Sequence, residues 1–200
     1  MNQPHPSLCR ILALPGSLRR NSYNRSLLEA AVHCAPTNMR IEIFSGLADV
    51  PLFNEDIETS RPLHRGVRNL RDAVASSDGL LIATPEYNQS IPGVLKNAVD
   101  WLSRPLPGDI MAGYPIAILG VSPGRWGTRL AQAALHHTLT AIEAHVMPAP
   151  RLFMRNASEL FDDDGRLPDA ASREALQTLL SAFSLWIERT GSTRMSAAVG

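Results

Sequence analysis

Two hundred residues, 44% hydrophobic and 19% charged, are enough for one domain with a sizeable core. Nineteen basic and nineteen acidic residues give a formal net charge of zero. That balance excludes the cationic footprint of a general nucleic-acid binder and the like-charge block of an interaction tail.

No stretch approaches the length of a membrane span. The polar segment Met1 to Ser7 and the short apolar run Ile11 to Leu14 do not make a signal-peptide core. Cys9 and Cys34 lie far apart with no CxxC, so two thiols in a reducing compartment are expected, and with them a cytoplasmic protein.

In chain order, short apolar runs alternate with longer amphipathic ones, the pattern of a parallel sheet wrapped by helices. The first strand runs from Cys9 to Leu14 and stops at Pro15-Gly16. A helix from about Asn24 places Leu27, Leu28 and Ala31 on one face. Arg40 to Phe44 alternates as a second strand near the sheet edge. Gly46 to Pro62 reads as a loop. Leu63, Val67, Leu70 and Val74 then recur at helical spacing. Gly79 to Thr84 is continuously apolar up to its last residue, as expected for a central strand covered on both faces. Leu95, Ala98, Val99 and Leu102 line the next helix. Tyr114 to Leu119 is a fourth strand, Thr128 to Ile142 a helix, and a fifth strand lies near Val146 to Phe153. Leu176, Leu179, Leu180, Phe183 and Ile187 define the last helix. Residues 1–190 form a single domain, and 191–200 a small polar tail expected to be disordered.

Five strands alternating with five helices, joined by right-handed crossovers, fit a flavodoxin-like three-layer α/β fold: a doubly wound, five-stranded parallel sheet of order 2-1-3-4-5. Ligands of such sheets sit outside the carboxyl ends of the strands, where the winding reverses. The loops after strands one, three and four therefore carry the chemistry.

The first of these loops, Gly16 to Ser26, has a glycine at the turn, several hydroxyls and amides, three arginines and no acid. A helix N-terminus favours an anion, and Ser17, Arg19, Ser22 and Asn24 can add donors. Neither GxxxxGK[ST] nor GxGxxG is present, so a single phosphate monoester suits the loop better than a dinucleotide pyrophosphate. An ordinary polar turn with capping residues is the alternative. In the second loop, Pro85 and Pro92 bracket a stiff segment able to present backbone groups to a flat, hydrogen-bonding ring. Tyr87 is either a contact to that ring or a half-buried packing aromatic.

GSLRRNSYN followed by PEYNQSIPGVLKNAVDW resembles the NADPH-dependent FMN reductase family, which includes chromate- and quinone-reducing flavoproteins. Pro51 to Asp56 is similar to that family's loop after strand two. The resemblance implies that Ser17, Arg19, Ser22 and Asn24 hold an FMN phosphate. It implies that Pro85, Glu86, Tyr87 and Asn88 border the ribityl chain and isoalloxazine ring, with Ser122 on a third flavin loop. It also implies a homodimer or homotetramer, with the Lys96 to Trp101 helix near a subunit contact.

Gly120-Val121-Ser122-Pro123-Gly124 matches the GxSxG nucleophile elbow and follows a strand. The hydrolase reading fails because Pro123 has no N–H for an oxyanion hole and no histidine follows His145. As a flavin rim the same loop makes sense: its glycines allow close backbone approach. Arg125 could meet the pyrimidine end or a coenzyme phosphate. His136 and His137 are adjacent, not i and i+4, so they share no metal from one face. Asp162-Asp163-Asp164-Gly165 lacks the glutamate of a calcium loop.

With FMN bound, the flavin carries the chemistry and no catalytic side chain is required. Hydride from NADPH or NADH would reach the flavin N5, and electrons would pass in a second step to a small-molecule acceptor: a quinone, azo compound, metal oxyanion such as chromate, or free flavin. The competing class is a flavodoxin-like electron carrier without nicotinamide chemistry. Such carriers are usually strongly acidic, and this chain is neutral.

Overall fold

The apolar runs become the middle of a parallel sheet in the computed structural model, which describes residues 8–104, 110–162 and 164–197. Strands β1 (Cys9–Pro15), β2 (Met39–Ile43), β3 (Gly79–Ala83), β4 (Pro115–Val121) and β5 (His145–Val146) lie in the order β2-β1-β3-β4-β5, and β6 (Leu152–Met154) also pairs with β4. All these pairings are parallel. Every residue of β3 and β4 is buried, which is why both read as near-continuous apolar runs.

Helices cover both faces. Alternate strand residues divide between two cores, as the two-residue side-chain period requires. Ile11, Ala13, Leu81, Ala83, Ala117 and Leu119 pack with α1 (Tyr23–Cys34) and α7 (Ala170–Ala197). Leu12, Leu14, Leu80, Ile82, Ile116 and Ile118 pack under α3 (Arg65–Ala75), α4 (Gly93–Leu102) and α5 (Arg129–Ala141).

Two expectations are revised. The fifth strand is not continuous: Pro148 and Pro150 fall between β5 and β6, and a residue without an N–H cannot donate to a ladder. The segment 46–62 is not all loop. It holds a 3₁₀ turn, Leu47–Asp49, and a short helix α2 (Glu55–Thr59) capped by Asn54, whose Oδ1 accepts from Asp56 N at 2.9 Å. Another short helix, α6 (Ala157–Leu160), follows β6. Helix α7 continues through Gly191 to Ala197, and residues 198–200 lie outside the described residues. No described helix is long and apolar enough to cross a membrane.

Candidate cofactor site

The register sets the site. Pro15 pairs with Ala83, and Ala83 with Leu119, so β1, β3 and β4 end side by side. The ladder runs on into the loops: Gly16 N donates to Ala83 O at 2.8 Å and Thr84 N to Leu119 O at 3.0 Å. Close approach there depends on two glycines. A Cβ on Gly16 would lie 3.0 Å from Leu95 and 3.1 Å from Ala83 O. One on Gly120 would lie 2.0 Å from Thr128 Oγ1 and 2.5 Å from Thr84 O.

After β1 the chain turns through Ser17 and Arg19 into α1. Arg19 N donates to Ser17 Oγ at 3.2 Å, and the exposed Arg19 guanidinium lies 5.0 Å from the Tyr23 ring centre. Ser22 is the N-cap of α1, makes no side-chain cap hydrogen bond, and is followed by a first turn without acids. Arg25 N and Ser26 N donate to Ser22 O at 2.9 and 3.0 Å, so the N–H groups of Tyr23 and Asn24 at the start of the first turn are those suited to an outside acceptor. Asn24 differs from the donor expected at a phosphate. It is buried, its Nδ2 donates to Val121 O at 2.9 Å, and its Oδ1 accepts from Val121 N at 3.0 Å. The side chain fastens α1 to β4, and its backbone N–H remains in the first turn.

After β3, Tyr87 and Ser90 exchange backbone hydrogen bonds of 2.9 and 3.0 Å, and Asn88 and Gln89 between them have φ of 49° and 64°. Two central residues at positive φ make a type I′ turn, which Asn tolerates well and Gln less so. Pro85 is buried at its base, whereas Tyr87 is 51% exposed and reaches across to the first loop, its hydroxyl 3.3 Å from Ser17 Oγ. Glu86 turns the other way. Its Oε2 accepts from Leu130 N at 2.9 Å and Ala131 N at 3.1 Å, closing the N-terminus of α5.

After β4, Ser122 Oγ donates to Gly127 O at 3.0 Å and Gly124 O at 3.3 Å, so it ties down its own turn. A hydroxyl spent on carbonyls is not a poised nucleophile, in agreement with the failure of the elbow reading. Gly127 has φ 67° and backs onto Phe153, where a Cβ would meet Phe153 Cβ at 3.1 Å. The strand ends thus carry the start of a helix without a side-chain cap at one side and a hydrogen-bonded backbone turn beside it.

These are the parts an FMN would need: N–H and O–H donors for a phosphate anion without a competing acid, and backbone edges for a planar ring. Residues 9–159 match the family described as NADPH-dependent FMN reductase. The chain belongs to this family. It is 42% identical over 180 residues to an NAD(P)H-dependent FMN reductase of Pseudomonas aeruginosa, covering 90% of this chain and 96% of that one. It is 35% identical over 178 residues to a 2-hydroxy-1,4-benzoquinone reductase of a Burkholderia species, covering 89% and 96%. The structure of FerB, a flavoenzyme NAD(P)H:(acceptor) oxidoreductase from Paracoccus denitrificans, superposes with a TM-score of 0.83 at 34% identity, covering 91% of this chain and 98% of that one.

Within this FMN reductase fold, other residues set the walls without having stood out as site residues. Asn97 and Trp101 of α4 hold the loop after β2: both donate to Pro51 O at 2.8 Å, and Phe53 N donates to Asn97 Oδ1 at 2.7 Å. The Phe53 ring meets Trp101 edge-on at 5.0 Å. Trp101 is therefore a core residue, 1% exposed. The readable signal was the helical spacing of Asn97 and Trp101, which puts them on one face. Among the described residues no group of three or more His, Cys, Asp or Glu could hold a metal, and Asp162 Oδ1 instead accepts from Asp164 N and Arg166 N.

Proposed function

We propose that this FMN-dependent NAD(P)H oxidoreductase seats its flavin across the ends of β1, β3 and β4, and uses it to reduce a small acceptor such as a quinone. On this reading Ser17, Arg19, Ser22 and the backbone N–H groups of Tyr23 and Asn24 at the start of α1 hold the phosphate. The turn Pro85 to Asn88 borders the ribityl chain and ring, and Ser122 and the Asn24 side chain keep the third loop in place. FMN would supply hydride acceptance from NAD(P)H and two-electron delivery to the acceptor.

The protein's part is binding and orientation. A fixed row of N–H donors disperses negative charge with no reorganisation at the moment of reaction. Helix α1 offers partial positive charge to the phosphate. Tyr87, poised against Ser17, links the grip on the phosphate to the surface beneath the ring.

The observation that carries this reading is the 3.3 Å contact of Ser17 Oγ with Tyr87 OH, which joins the two loops over an uncapped helix start. Chromate, azo compounds and free flavin are further acceptors on the same chemistry. The free thiols Cys9 and Cys34 support a cytoplasmic setting. The family resemblance supports a homodimer or homotetramer with the outer side of α4, around Lys96, near the contact; light scattering measures this directly.

The test is an absorbance scan after FMN addition and desalting, then NAD(P)H under anaerobic conditions. Flavin bands that persist through desalting and bleach on reductant are expected. Sustained NADPH oxidation in the presence of a quinone separates an enzyme from an electron carrier. A protein that emerges colourless, with FMN fluorescence unquenched, overturns the assignment.

A further inference from the structure

We propose that Arg125 and Arg129, with Trp126 between them in sequence, form the subsite for the adenosine 2′-phosphate end of the coenzyme, so that NADPH is preferred to NADH; this rests on the flavin reading of the crevice. Both residues are exposed on the rim after β4. The Arg125 guanidinium lies 4.8 Å from the Trp126 ring centre and that of Arg129 lies 5.5 Å from the Phe153 ring centre. Stacking on a ring fixes the plane of a guanidinium and leaves its N–H fork to a ligand. Neither arginine pairs with a carboxylate among the described residues. Glu86, which sits at the head of α5, already accepts from two backbone N–H groups there.

Two further features suit a ligand. Trp126 is 63% exposed, a large aromatic surface in water with the Arg125 guanidinium over its ring. An exposed aromatic with a cation on it fits an adenine ring carrying a phosphate. The turn is also held before any ligand arrives, by Ser122 Oγ on Gly127 O and by Gly127 packed on Phe153. Such preorganisation lowers the ordering cost of binding.

The FMN phosphate does not need this site. Its donors lie in the loop after β1 and in the first turn of α1, whereas Arg125 and Arg129 lie on the exposed rim after β4. On this assignment the anion met by Arg125 and Arg129 belongs to a second molecule that visits the same crevice.

The experiment has two arms. In reductive half-reactions, the ratio of kcat/KM for NADPH to that for NADH should fall roughly tenfold or more in Arg125→Gln and further in Arg125→Gln/Arg129→Gln, the size expected for charge-assisted bonds. In calorimetry on the apoprotein, adenosine 2′,5′-bisphosphate should bind at least about tenfold more tightly than AMP, and the double variant should lose that difference. Equal losses for both coenzymes, an unmoved ratio, or no discrimination between the two nucleotides would overturn the proposal. FMN uptake is titrated separately. A protein that takes no flavin sinks the reading of the crevice, whereas the flavin-free calorimetry decides the phosphate subsite in either case.

Discussion

The side chain of Asn24 and the backbone of Val121 exchange two hydrogen bonds, 2.9 Å and 3.0 Å long, across 97 positions of chain. Both partners are buried. Asn24→Ala leaves the N–H and C=O of Val121 unpaired at the sheet end, which costs about 2–4 kcal/mol. For a chain of this size that is a fall in Tm of roughly 5–15 °C. Asn24→Asp keeps the acceptor but sets a carboxylate against a carbonyl oxygen, and should be at least as damaging. Thermal melts followed by circular dichroism measure both. A variant that melts within about a degree of the parent would show that the clamp carries no stability.

Ser17 and Tyr87 make a second cross-loop relationship, this one half open to water. Loss of either hydroxyl should weaken FMN binding by about three- to tenfold, the range of a single neutral hydrogen bond. If the two hydroxyls act as a unit, Ser17→Ala/Tyr87→Phe loses less than the sum of the single changes. Fluorescence quenching of FMN by the four proteins gives the cycle. Strict additivity would mean that the phosphate loop and the ring loop bind independently.

Cys9 carries a pH prediction. Burial first, then the charges of Asp78 and Glu188, push its thiol up from 9.0 to about 11. The folded state therefore holds the thiol proton over a range where the unfolded chain has released it. Stability from this group is complete below about pH 9 and is lost as pH rises toward about 11. Urea melts between these limits should show falling stability, and Cys9→Ala should flatten that part of the profile. Alkylation by iodoacetamide at pH 8 should also be slow at Cys9, because the thiolate is the reacting species. Rapid labelling of the folded protein at that pH would contradict the raised value.

How far the sequence could be read follows from which interactions are local. Leu80 to Ala83 and Ile116 to Leu119 declare themselves because strands covered on both faces have little room for a polar residue. The breaking of the fifth strand is visible in Pro148 and Pro150 once their missing donors are weighed against a short apolar run. Helix α2 is marked by Asn54 and the acids after it, a start signal hidden in a segment rich in loop-forming residues. Asn24 and Glu86 are a different matter. Each is a polar residue in a sequence segment suited to a ligand, Asn24 in the first turn of α1 and Glu86 in the loop after β3, and each spends its side chain on backbone far along the chain. Nothing near them in sequence announces Val121 or Leu130 as partners.

Glu86 gives the sharpest separation of structure from ligand binding. Its single oxygen Oε2 accepts from Leu130 N and Ala131 N, so the carboxylate serves both as a cap and as a charge at the positive end of α5. Glu86→Gln keeps an acceptor and removes the charge, which should cost about 0.5–1 kcal/mol. Glu86→Ala removes both, at about 1–2 kcal/mol. The loss in Glu86→Gln should shrink in high salt, because the dipole interaction is screened, while the capping loss in Glu86→Ala should largely persist. Flavin affinity supplies the second readout. If Glu86 acts on the crevice only by joining the turn of Tyr87 to α5, the glutamine variant binds FMN nearly as well as the parent and the alanine variant binds less well. Equal weakening in both would mean that the carboxylate charge itself is felt at the ring.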